Sequence, residues 1–169
     1  MKTSRSKLFA LALALALAIG LSFSTVALIP AHAAATQADL DYSTAVSKVS
    51  VDFGKATSAW ATSVANPPSL AFGKKYNDYK TRALKGTNAL LVVIAKMKAL
   101  TPTSGFPKSG PLLKKTALAY EKAVGMTKTA ITKNDSKLME KANKGILDAS
   151  TALASWGAVY ADEVAALNG

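Results

Sequence analysis

From Phe72 to Leu100 the apolar and small positions hold one register: Phe72, Tyr76, Tyr79, Ala83, Gly86, Leu90, Val93, Met97 and Leu100, spaced alternately by four and three residues. A stripe with a mean spacing of 3.5 residues keeps one helix face on its neighbours, so the spacing predicts a long helix packed in a bundle. Leu84, Leu91 and Ile94 flank the stripe and widen it beyond a two-helix seam, which calls for two or three partner helices.

The rest of the chain supplies those partners. Tyr42, Val46, Val49, Phe53, Ala56, Trp60 and Val64 mark a first helix. Thr36 and Asp39 have the Thr-x-x-acid spacing of a helix start, and Asp39 and Asp41 suit the positive end of its dipole. Asn66-Pro67-Pro68 stops that helix, because proline cannot donate the helical bond and restricts the residue before it. Ser69 is the expected N-cap of the second helix. Thr101 to Pro111 is the one long connection, with room to cross a diagonal or to fold Phe106 over the end of the bundle.

Ser109-Gly110-Pro111 opens a third helix, with proline in its first turn and a stripe of Leu113, Ala117, Tyr120, Val124, Thr127 and Ile131. Asn134 is a candidate left-handed C-terminal residue, and Asp135 or Ser136 the next cap. The fourth helix is predicted over 137–167, through Met139, Ala142, Ile146, Ala149, Leu153, Trp156, Tyr160, Val164 and Leu167. No segment alternates at period two. The expected fold class is all-α: an antiparallel up-down-up-down four-helix bundle.

The beginning of the chain reads differently. Lys2, Arg5 and Lys7 precede a nearly pure Leu/Ala run from Leu8 to Leu21, and Ala31-His32-Ala33 offers small residues for cleavage. This is the pattern of a secretory signal peptide over residues 1–33, bacterial in style, leaving a bundle domain over 34–169. The expected address is secreted or envelope-associated. An uncleaved N-terminal membrane anchor is the alternative, since apolar residues continue to Ile29.

Composition narrows the chemistry. The chain has no Cys, and its one histidine, His32, falls in the segment expected to be removed. Residues 34–169 therefore lack the side chains for a His–Cys metal site, usual haem ligation, a Ser-His-Asp triad or a thiol nucleophile. The carboxylates form no pair aimed at a cleft, and there is no glycine-rich phosphate loop. An enzyme is not expected, nor a cofactor.

After the leader, eighteen basic residues face ten acidic ones, a net charge of +8, and Arg82 is the only arginine. Lysine acts as a hydrated point charge and does not offer the planar fork that reads bases and phosphates, so sequence-specific nucleic-acid binding is not expected. Diffuse attraction to anionic envelope polymers or lipid headgroups suits the composition better. The densest cluster is Lys133, Lys137, Lys141 and Lys144, with Lys74 and Lys75 expected at the same end, and these six are the candidate anion contacts. The rival reading is a carrier holding a small apolar ligand among Trp60, Tyr76, Tyr79 and Gly86 in the bundle core. A specific protein partner that the sequence does not reveal stays open, and a monomer is expected.

Overall fold

A computed structural model describes residues 35–69 and 71–168, so the expected leader over 1–33 lies outside the described residues. Among those residues the secondary structure is four helices without a strand: α1 (Gln37–Val64), α2 (Lys74–Ala99), α3 (Ser109–Lys133) and α4 (Ser136–Asn168). None is long and apolar enough to cross a membrane.

The helices run antiparallel in sequence order. Asp52 and Trp60 of α1 meet Lys96 and Thr87 of α2. Lys80 and Lys98 of α2 meet Thr132 and Glu121 of α3. Tyr120 of α3 meets Ser150 of α4. Rising residue numbers on one helix pair with falling numbers on the next, which is the up-down-up-down bundle expected from the short connections.

One side of the bundle is wider than the others. Consecutive helices approach within 8 Å between Cα atoms, whereas no such approach joins α1 to α4. Side chains bridge that side: Ser43 and Tyr160 share a 2.8 Å hydroxyl bond. Phe106, fully buried, packs against Tyr42 at 4.8 Å between ring centroids and stacks on Tyr160 at 5.2 Å. The α2–α3 connection therefore joins adjacent helices and folds Phe106 over the bundle end, the second of the two expected courses.

Helix ends explain the local folding. Thr36 and Asp39 form a reciprocal capping box at the start of α1. Asn134 takes the left-handed conformation at the end of α3, with φ 52°, and the Asp135 carboxylate accepts from the Leu138 N–H at 2.9 Å. Each satisfies backbone groups that a helix end leaves orphaned.

Two expectations about α2 are corrected. Its N-cap is Gly73, with φ 82°, and not Ser69. Phe72 consequently sits outside the helix and is 72% exposed, so it is no part of the buried stripe. The buried face runs through Tyr79, Ala83, Thr87, Leu90, Ile94 and Met97, with Val93 only half-buried. A straight helix at 3.6 residues per turn drifts off a 3.5-residue stripe over seven turns, and Thr87 and Ile94 take up that drift. In α1, Thr57 replaces the expected Ala56 in the core for the same reason.

Candidate functional site

The bundle has two dissimilar ends. At one, the termini of α1 and α4 meet the α2–α3 connection, and two carboxylates there, Asp39 and Glu163, are engaged in structure. Asp39 is 2% exposed. One of its oxygens accepts from the Thr103 hydroxyl and from the Gly105 N–H at 3.2 Å. The other accepts from the Thr36 N–H at 3.0 Å and hydroxyl at 2.6 Å. The Thr103 hydroxyl, foremost among these donors, holds the Asp39 carboxyl below its ordinary value of 3.8, because donors favour the charged form.

Glu163 of α4 caps the start of α3. Its two oxygens accept from the N–H groups of Lys108 at 2.8 Å and Ser109 at 3.0 Å, although α3 has no side-chain cap of its own. No local spacing marks either acid as a bridge between elements, because the bridging partner of each lies more than fifty residues away in sequence. Burial raises the Tyr42 hydroxyl to about 12, with the neighbouring Tyr160 and Glu163 adding to the effect.

The other end gathers the α1–α2 connection, the start of α2, the α3–α4 turn and the first turns of α4. All six lysines proposed from sequence are here, and all six are exposed: Lys74, Lys75, Lys133, Lys137, Lys141 and Lys144. Lys80 of α2 donates to the Thr132 carbonyl in the last turn of α3 at 2.9 Å. Lys74 pairs with Asp78 at 3.0 Å, but both side chains are well exposed, so the pair holds the ammonium only weakly.

The first turn of α2 is electrostatically one-sided. It carries no acid, its N-cap makes no side-chain hydrogen bond, and Lys74 and Lys75 stand where the helix dipole is already positive. The firm contacts of α2 with α1 and α3 begin one turn later, where the Tyr79 hydroxyl donates to the Val64 carbonyl at 3.4 Å. Lys74, Lys75, Asn77 and Asp78 before it are all exposed.

Arg82, the only arginine within residues 34–169, is committed elsewhere. It donates to the Ser63 and Ala65 carbonyls, each at 3.1 Å, and so caps the end of α1. Its guanidinium also lies 5.8 Å from the centre of the Tyr79 ring.

The four residues of the carrier reading fall into two pairs, Trp60 against Gly86 and Tyr76 against Tyr79. Trp60 is 2% exposed and its indole N–H donates to the Thr87 hydroxyl at 3.1 Å. Ser63 lies against Gly86 so closely that an added Cβ would stand 2.7 Å from the Ser63 Cβ. Tyr76 and Tyr79 face each other at 6.3 Å between centroids. Gly86 thus admits a neighbouring helix.

No group of three His, Cys, Asp or Glu among the described residues is placed to hold a metal ion. No family model, curated protein or solved structure matches the chain.

Proposed function

We propose that this protein is a non-catalytic, secreted or envelope-associated binding module that attaches to anionic surfaces through the lysine end of its bundle. The observation that carries this reading is the exposure of Lys74, Lys75, Lys133, Lys137, Lys141 and Lys144 at one end. The acids exposed at the same end, Asp78, Asp135 and Glu140, are outnumbered by these lysines two to one. Each lysine near an anionic surface contributes roughly 1 kcal/mol. A handful acting together gives reversible attachment that salt weakens, since exposed charges are screened beyond ~8 Å at physiological ionic strength.

The test is co-sedimentation of the full chain with purified bacterial envelopes across a salt series, beside the variant K137E/K141E/K144E. These three side chains are exposed, so the charge reversal leaves the core untouched. Binding that falls with salt and drops steeply in the variant supports the reading. Binding indifferent to both overturns it.

A further inference from the structure

We propose that the lysine end docks specifically on an anionic lipid bilayer, with the Phe72 ring entering the headgroup–acyl boundary while the surrounding lysines rest on the headgroups. This inference builds on the proposed function and chooses one partner for the same surface.

Phe72 is the most exposed large apolar side chain among the described residues, at 72%. The others of that kind, Val51, Val92, Leu118 and Leu147, lie along the flanks of the helices. A single apolar side chain on a surface is ordinary; its position makes this one informative. Phe72 lies two residues before the exposed pair Lys74 and Lys75, at the end where Lys133, Lys137, Lys141 and Lys144 also gather.

The backbone favours presentation of the ring. Pro67 and Pro68 stiffen the approach, and Gly73, at φ 82°, turns the chain directly into α2 in a conformation that only glycine adopts readily. The next ordered turn is exposed, so the ring stands clear of the packed bundle.

Charge complementarity requires an anionic partner, and the ring decides which kind. A hydrated polyanion satisfies lysines but leaves a phenyl group in water. A bilayer offers phosphate-bearing headgroups above an apolar layer, matching lysines and an apolar ring at the same end.

The absence of cysteine makes a site-specific test available. The full chain carrying F72C, labelled with a polarity-sensitive fluorophore, is mixed with vesicles of phosphatidylcholine alone or with 30% phosphatidylglycerol. The same label at V92C, on an exposed flank position, is the control. Insertion predicts a blue shift and intensity gain for the label at position 72 on anionic vesicles only. Neutral vesicles, high salt and the K137E/K141E/K144E background should abolish that response, and the label at position 92 should stay silent. F72A should weaken sedimentation with anionic vesicles about tenfold, yet leave binding to soluble polyphosphate unchanged.

A silent label with lysine-dependent sedimentation overturns the insertion and leaves the electrostatic reading standing. A silent label without lysine-dependent sedimentation overturns both. A response equal on neutral vesicles, or equal at position 92, overturns docking through this end, including the case in which the apolar run Leu8 to Leu21 makes the attachment.

Discussion

Ser63 occupies the place a side chain on Gly86 would need: an added Cβ would stand 2.7 Å from the Ser63 Cβ, inside any real contact distance. A glycine in mid-helix costs about 1 kcal/mol relative to alanine, and here the close approach of α1 and α2 explains it. G86A should therefore destabilise despite its better helix propensity, because overpacking by one methyl costs about 1–3 kcal/mol. S63A should not rescue it, since the Cβ remains, whereas S63G should. Urea midpoints of the four proteins measure this, and a G86A more stable than wild type would refute the packing.

Asp39 sets an acid limit. Its folded value lies below the ordinary 3.8, so its contribution is fully present above that value and is lost as pH falls through the depressed one. D39N should lose about 1–3 kcal/mol at pH 7 through its weakened bonds to Thr103, Gly105 and Thr36. The same variant should show a flatter dependence of stability on pH below 4. An unchanged acid slope would mean that the Asp39 carboxylate is not the group that titrates.

Alkali should act through the tyrosines. Burial raises Tyr42 and Tyr120 to about 12, and shifts Tyr79 and Tyr160 in the same direction. A raised folded value gives stability that is fully present below the unfolded value, near 10, and is lost as pH rises beyond it. Tyrosinate absorbance near 295 nm should therefore lag a free-tyrosine titration, then rise together with loss of helical circular dichroism between pH 10 and 12. Full ionisation with the helix intact would show that these hydroxyls are not buried.

Glu163 and Phe106 hold the same end by different means. E163A leaves the Lys108 and Ser109 N–H groups without their acceptor, at about 1–2 kcal/mol. F106A empties a fully buried site between Tyr42 and Tyr160, at about 3–5 kcal/mol. Thermal melts should rank them in that order. Amide exchange in E163A should quicken at the start of α3 before it does elsewhere.

The stripes on α3 and α4 were legible almost residue for residue. From Leu113 to Ile131 and from Met139 to Val164, every predicted core position is buried. The caps at Asn134 and Asp135 were equally readable, because their donors and acceptors lie within a few residues. The start of α2 was not. Ser69 has the chemistry of a cap, but the chain uses the backbone freedom of Gly73, four residues later. The six lysines stand at one end because topology and helix length put them there. The contacts of Asp39 with Thr103 and Gly105 and the roles of Arg82 and Glu163 depend on which elements meet in space, and no local spacing encodes them.

The wide side between α1 and α4 bears on how the chain reaches this state. Every close backbone pairing joins a helix to its immediate successor, so most of the structure can assemble without closing a long loop. Contacts of short sequence separation place a helical chain in the microsecond-to-millisecond range of folding times. What remains for the last step is the distant seam, where Ser43 finds Tyr160 and Phe106 settles between two tyrosines. Under strain that seam is the first place to part, and α1, held at backbone distance by α2 alone, is the helix that would swing away.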